Sequence, residues 1–442
     1  MENIQLGKES LLKLFIKYVL PAIISMVITG IQGMIDGIFL GNYGSINSMA
    51  AVNVATPFMQ LWIGTGMIIC IGTLSYLGIT LGQNDNAKAK DIFKSAVVGL
   101  SIISMIITVL GVCFSGDFAR LLGANQVLMN DTKAYIFTFS FFIFFATFML
   151  LFGFVDRLIG KPRLYLYATI GALITNITGD FIAIKILHLG VVGAAIATGL
   201  AYLVGFLITL PPLMKKSSAV NIFDGRFRLD IFIKASVNGS SEGISYLATA
   251  LALFLFNRAF LQFAGEGGIA AFTVIMYIQN FAVLLMFGVS DGISSIVSYN
   301  YGAGNHHRVR KVFYLSAVLN FVFGLLSFLV LFYFGEDLIL LFIKDNPAIL
   351  KFALDGMNLF ALNLFFCGFN ILQSGFNTAV DNPITSMWIA ISRGFLLIPL
   401  AVLVLPRVMD VQGLWLALPM AELGTALICL WIMFKKRDLY FK

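Results

Sequence analysis

A lone carboxylate, Asp36, lies inside an apolar segment that begins near Leu11 and continues through VITGIQGMIDGIFLGNYG. An acid at the centre of a membrane helix costs roughly 2.5–3.5 kcal/mol on insertion scales. Acids are retained at such positions where their ionisation or their affinity for a cation serves a function. Asp36 is therefore the first candidate for a functional residue.

Three further oxygen-bearing side chains are expected at the depth of Asp36. At about 1.5 Å of rise per helical residue, Asp36 and Asp180 both lie roughly 25–30 Å from the basic residues that anchor the inner ends of their helices. Asn176 precedes Asp180 by one turn on the same helix face, and Thr198 reaches this level from the outer end of its own helix. The four side chains are thus predicted to converge from three helices.

Two carboxylates at one depth favour a functional site over simple packing. A single Asn or Thr in a membrane helix more often bonds to a neighbouring helix than to a ligand. No basic residue of the first half is placed to pair with the two acids, since Lys185 should extend to the outer interface. Either one acid carries a proton or a cation lies between them. Hard oxygen donors suit a proton or a hard cation such as sodium, and no cofactor is expected.

The second half of the chain carries a different set of charges within its apolar segments, which we take as candidates for a substrate cavity: Glu242, Asp291, Arg393 and Glu422. Arg393 can neutralise one of these acids as a structural ion pair. An acid left without such a partner would attract cations. Asp156, which is next to Arg157 near the inner end of the fourth helix, is expected to be interfacial.

Pro21 lies fifteen residues before Asp36 on the first helix. It removes one backbone hydrogen bond, so it should kink this helix or permit it to bend. A fixed packing kink is at least as common as a hinge. The ionisable group on the same helix makes a hinge plausible.

The composition predicts an all-α polytopic membrane protein. The chain has 442 residues, of which 59% are hydrophobic and 12% are charged. Soluble domains carry about 25% charged residues. With about 20 apolar residues per span, the polar clusters divide the chain into about twelve transmembrane helices.

Lysine and arginine alternate between rich and poor loops, which predicts that both termini are cytoplasmic. This bias also accounts for the net charge of +7 without a nucleic-acid partner. The segment LGQNDNAKAKDIF at 81–93 matches YGAGNHHRVRKVF at 301–313, which indicates two six-helix parallel repeats. We therefore predict an N-terminal lobe over 1–214, a cytoplasmic linker over 215–230 and a C-terminal lobe over 231–442.

Several segments resemble the MATE (multidrug and toxic compound extrusion) family. They are MIDGIFLGNYG in the first helix, GQNDNAKA and YGAGN after the second and eighth helices, and NITGDFIAI followed by GAAIATG. The resemblance implies a cation-coupled antiporter in the cytoplasmic membrane that exports organic cations and drugs through a central cleft between the lobes. It also implies that Asp36, Asn176, Asp180 and Thr198 form the first-lobe cation site and that Pro21 is the bend of helix one.

The resemblance has one departure. The segment GFNILQSGFNTAV in helix ten carries no acid, so coupling is expected to centre on the first lobe. Glu242 lies where many members have an acid in helix seven. The substrates are expected to be small cationic amphiphiles, the setting a lipid bilayer, and the active form a monomer.

Three alternatives to an exporter stay open at this point. A flippase for lipid-linked oligosaccharides should place Lys and Arg inside the membrane to bind a polyanionic cargo, whereas the charges here are mainly acidic. Channel pores are usually lined by rings of like residues, and this chain has distinct acids in two diverged halves. A membrane enzyme is disfavoured because no nucleophile, base and orienting group share one depth.

Overall fold

The computed structural model describes residues 5–340 and 347–440. The outer limits of both predicted lobes, residues 1 and 442, lie outside this part of the chain. The helices of the described residues are α1 (Leu11–Tyr43), α2 (Ile46–Gly82), α3 (Asn86–Cys113), α4 (Ser115–Leu121), α5 (Met129–Ser140), α6 (Ile143–Leu158), α7 (Pro162–Asp180), α8 (Gly190–Leu213), α9 (Leu229–Gly302), α10 (His306–Leu340), α11 (Pro347–Ala361), α12 (Leu364–Ala379), α13 (Pro383–Ile391), α14 (Ile398–Lys435) and α15 (Arg437–Tyr440). Two π-helical turns, Phe181–Ile186 and Ser392–Leu397, follow α7 and α13.

The described helices account for twelve membrane spans. Eight helical stretches are long and apolar enough to cross a bilayer, and two bent pairs, α5 with α6 and α11 with α12, bring the number to ten. Two of the eight stretches each contain two helices, because α9 is broken at Gly265 and α14 is broken at Asp410. Gly265 has a φ of 66°, which glycine adopts without a steric penalty. The predicted all-α membrane fold is confirmed.

The two repeats share unusual backbone conformations at matching positions. Asn84 and Gly304 occupy the same place in the two matching segments, and both have positive φ values, 61° and 73°. Gly160 and Asp381, which precede the matching prolines Pro162 and Pro383 by two residues, also have positive φ. The two halves therefore repeat the same tight turns between successive spans.

The chain forms two compact units. The first comprises Met1–Gly239 with Ser298–Gly304, and the second comprises Ser240–Val297 with Asn305–Lys442. These units are defined by contacts within each of them, so the boundaries predicted for the linker and the lobes stay a prediction. The two ends of α9 belong to the first unit and its middle to the second.

Each unit has its own apolar core. In the first unit Trp62 stacks on Phe139 at 5.7 Å between ring centroids, within a cluster of buried side chains from α2, α5 and α8. In the second unit Phe260 lies 4.6 Å from Trp415, and Phe272 and Phe360 complete the aromatic centre. Large apolar side chains also remain exposed on the helix surfaces, as on α3 at Met105. Such surfaces suit contact with lipid.

Candidate functional site

Four polar side chains of the first unit meet in one place. Asp36 comes from α1, Asn176 and Asp180 come from α7, and Thr198 comes from α8. The hydroxyl of Thr198 donates to Asp36 Oδ2 at 3.3 Å, and Asn176 Nδ2 donates to the Thr198 hydroxyl at 3.4 Å. The carboxyl groups of Asp36 and Asp180 are within hydrogen-bonding reach of each other. The structure thus brings together the four residues selected from the sequence; their role stays a prediction.

The site has more acceptor oxygens than donors. Asn176 and Asp180 are fully buried and Thr198 is nearly so, whereas Asp36 is partly exposed. Within the described residues, Asp36 Oδ1, Asn176 Oδ1 and both carboxylate oxygens of Asp180 have no hydrogen-bond donor. Buried oxygens without a donor are costly, and a proton or a bound cation would remove that cost. Asp36 is the member of the cluster that such a cation can reach.

Close packing of α7 against α8 allows the site to form. A Cβ at Gly179 would lie 2.8 Å from Ala197 Cβ, so only glycine permits the two helices to approach this closely. Gly179 is next to Asp180, and Ala197 is next to Thr198. The π-helical turn Phe181–Ile186 begins directly after Asp180. Turns of this kind are frequently found at functional sites in helices.

Two tyrosines near the cluster were not predicted from the sequence. Tyr135 on α5 is buried and interacts electrostatically with Asp36 and Asp180, and Tyr202 on α8 interacts with Asp36. Tyr202 could have been found, because it follows Thr198 by one helical turn and so lies on the same face. Tyr135 gives no such signal, since its position depends on how α5 packs. Both phenols are possible donors to the carboxylates.

Helix α1 is continuous through Pro21 from Leu11 to Tyr43. Pro21 is buried, and its carbonyl oxygen accepts a hydrogen bond from the Ser25 hydroxyl at 2.8 Å. Thr169 on α7 donates to the same hydroxyl at 3.4 Å. Side chains of α1 and α7 therefore bond to each other beside the proline. The hinge at Pro21 stays a prediction.

In the second unit, Arg393 and Glu422 form an ion pair. Arg393 Nε donates to Glu422 Oε1 at 2.7 Å. The side chain of Glu422 is only 1% exposed, against 28% for Arg393. Asn370 Nδ2 donates to the other carboxylate oxygen of Glu422 at 2.6 Å. The partner of Arg393, which the sequence left open, is Glu422, and these contacts satisfy its carboxylate.

Glu242 and Asp291, both on α9, form a second acidic location in this unit. Each is partly exposed, and they interact electrostatically with each other. Arg393 is committed to Glu422, so it does not neutralise this pair in the way the sequence allowed. Of the four predicted cavity residues, these two acids remain candidates for contact with a cationic substrate.

Asp156, at the inner end of α6, is fully buried, so the expectation that it is interfacial is wrong. The neighbouring Arg157 is also buried, with its guanidinium 4.9 Å from the ring centroid of Phe154 and 4.7 Å from that of Tyr165. Stacking on both rings keeps Arg157 inside the helix bundle, and Asp156 is held at the same level. Neither carboxylate oxygen of Asp156 has a hydrogen-bond partner within the described residues.

An acidic cluster inside a bundle of membrane helices is characteristic of ion-coupled transport proteins. The family comparison agrees with this class, because the sequence model of the MatE family matches residues 21–182 and 243–403, one segment in each half of the chain. The chain belongs to the MATE family, which is a family of transporters and not of enzymes.

Individual relatives extend over nearly the whole chain. The multidrug export protein MepA of Staphylococcus saprophyticus is 24% identical over 440 residues, which is 98% of this chain and 95% of the relative. An outward-facing structure of a multidrug resistance MATE family transporter of the MOP superfamily matches with a TM-score of 0.93 at 21% identity, covering 99% of both chains. A drug-bound structure of the MATE multidrug transporter DinF-BH has a TM-score of 0.92 at 23% identity, covering 100% of this chain and 99% of that chain. These structures share the fold of this chain.

Proposed function

We propose that this chain is a cation-coupled antiporter that exports organic cations, drugs or other toxic compounds across the cytoplasmic membrane. The observation that carries the proposal is the pair of carboxyl groups, Asp36 and Asp180, held within reach of each other inside the first unit. The similar proteins support the cargo class, since MepA is a multidrug export protein and the DinF-BH structure contains a bound drug.

Coupling requires that the cluster exist in two charge states. Without a bound cation, two carboxylates at such short range repel each other and lack donors. One proton, or one sodium ion held by the oxygens of Asp36, Asn176, Asp180 and Thr198, would remove both costs. The cation then favours whichever conformation of the protein binds it more tightly, which is the requirement for any ligand-driven change. Export follows if the substrate favours the other conformation.

The proposed orientation places both termini in the cytoplasm. It is supported by the lysines and arginines near the starts of α1 and α7 and in the polar segment 215–230. In this orientation the Asp36 cluster lies in the outer half of the membrane. A cation arriving from outside would therefore reach Asp36 before the buried Asp180.

Transport by purified protein in proteoliposomes tests the coupling. We expect efflux of a cationic dye to be driven by an imposed proton gradient or by an imposed sodium gradient, with the other gradient ineffective. The gradient that drives the transport identifies the ion. Dye that moves equally fast with no gradient of either ion would contradict an antiporter and would indicate a passive pathway.

We expect Glu242→Gln to weaken the preference for cationic over anionic dyes by about tenfold or more. A hydrogen bond to a charged group contributes about 1.5–3 kcal/mol, which corresponds to a factor of this size in affinity. Binding of two dyes of similar size and opposite charge, measured by fluorescence polarisation, gives the ratio. Glu266→Gln is the matched control, because Glu266 is an exposed acid on the same helix. Equal dye ratios in the parent and in Glu242→Gln would show that Glu242 does not select the charge of the cargo.

A further inference from the structure

A groove of about 1010 Å³ lies between the first turns of α1 and α7, on the surface of the first unit. Its volume is at the upper end of the roughly 300–1,000 Å³ that is typical of ligand sites. The groove is remote from the Asp36 cluster, which lies near the other ends of the same two helices. Neither the coupling site nor the proposed cargo acids contribute to its lining.

The groove is strongly basic. Lys13 and Lys17 line it from α1, and Lys161 and Arg163 line it from the start of α7. Glu9 is the acid in the lining, and it contacts Lys13 Nζ at 3.3 Å and Lys17 Nζ at 3.2 Å. The hydrogen bond from Lys17 lowers the pKa of the Glu9 carboxyl, so this acid stays ionised near neutral pH. The lining therefore carries a net charge of three positive units.

Arg163 on α7 is open to an incoming anion. Its side chain is exposed, and no carboxylate of the described residues pairs with it. Both helices begin at the groove, and neither first turn is capped by a side chain. The positive ends of the two helix dipoles add to the charge of the side chains.

Apolar side chains continue the groove along the membrane-facing surface. Leu12, Ile16 and Tyr167 also line it and are 60%, 54% and 53% exposed. Exposed side chains of this kind on a membrane helix suit contact with acyl chains. The groove therefore joins a cationic floor to an apolar wall, and this combination matches the two parts of a phospholipid.

We propose that the groove between α1 and α7 binds one anionic phospholipid, with its phosphodiester on Lys161 and Arg163 and its acyl chains along Leu12, Ile16 and Tyr167. Basic pockets between membrane helices on the cytoplasmic side bind lipid head groups in this manner. The assignment to the inner leaflet rests on the orientation proposed above. The bound lipid links the inner ends of the two helices that carry Asp36 and Asp180.

Native mass spectrometry of the purified protein in detergent tests the proposal. The protein is titrated with phosphatidylglycerol and, separately, with phosphatidylcholine of the same acyl chains. We expect the parent to bind the first phosphatidylglycerol more tightly than phosphatidylcholine. Lys161→Gln/Arg163→Gln should weaken this first binding step by at least about tenfold, since each cation near a lipid head group contributes roughly fivefold.

The matched control is Lys215→Gln/Lys216→Gln, which removes the same charge from exposed residues of the same unit outside the groove. It should retain the tight binding step. Equal loss in both variants, or no preference for phosphatidylglycerol in the parent, would overturn the proposal. Displacement of the lipid by millimolar inorganic phosphate would show an anion site and not a lipid site. The readout involves no transport, so it is independent of whether the chain is an antiporter.

Discussion

Asp36→Asn and Asp180→Asn are each expected to reduce gradient-driven export to the rate of vesicles without protein. Asparagine keeps the shape of the side chain but cannot take up a proton, and it contributes no negative charge to a bound cation. Each variant leaves a single carboxylate in the cluster, so the repulsion that a cation relieves is lost. Dye efflux from proteoliposomes under the driving gradient measures the effect.

The control for this prediction is Asp117→Asn. Asp117 is a surface acid of the same unit whose side chain is 69% exposed and pairs with Arg120. Exposed pairs contribute little to stability, so this variant should export at the parental rate. Equal amounts of folded protein, checked by size-exclusion chromatography, separate loss of coupling from loss of protein. Undiminished export in both Asp36→Asn and Asp180→Asn would exclude the cluster as the coupling site.

The two variants should differ in stability. Asp36 is partly exposed and bonded to Thr198, whereas Asp180 is fully buried. Removing the charge of Asp180 takes away a buried group without a donor and should stabilise the fold. A higher melting temperature together with lost export would therefore be expected for Asp180→Asn. This combination is typical of a site that trades stability for function.

The location of the cluster could be predicted from the sequence because it depends on one dimension only. Lysines and arginines fix the inner ends of the helices, and a constant rise per residue then gives the depth of Asp36, Asp180 and Thr198. The number of spans and the repeat could be predicted for the same reason. Lengths of apolar segments and matching turn motifs are local properties of the sequence.

Lateral packing could not be predicted in the same way. Asp156 and Arg157 are near the inner end of a helix, where exposure is usual, yet two aromatic rings hold Arg157 inside the bundle. The proximity of Tyr135 to the carboxylates depends on the packing of α5. Depth alone also did not decide which acid pairs with Arg393. These features depend on the rotation of each helix about its own axis, which side-chain packing sets.

Arg393→Met is expected to destabilise the second unit by about 3–5 kcal/mol. The substitution leaves the fully buried carboxylate of Glu422 without its cation, and removing one partner of a buried ion pair typically costs this much. Glu422→Gln should cost less, because the side chain of Arg393 is 28% exposed and its charge can be solvated there. Unfolding of the purified protein in mixed micelles, followed by tryptophan fluorescence, measures both variants.

The double variant, Arg393→Met with Glu422→Gln, distinguishes a structural ion pair from two independent charges. It contains no buried charge at this position, and the glutamine oxygen can still accept from Asn370, which also donates to the backbone carbonyl of residue 422 at 2.9 Å. We therefore expect the double variant to be more stable than Arg393→Met alone, by at least about 1 kcal/mol. Losses that simply add would show that the two residues do not depend on each other. Because the pair is satisfied internally, the double variant should also keep the parental dye preference, which leaves Glu242 and Asp291 as the acids that select the cargo.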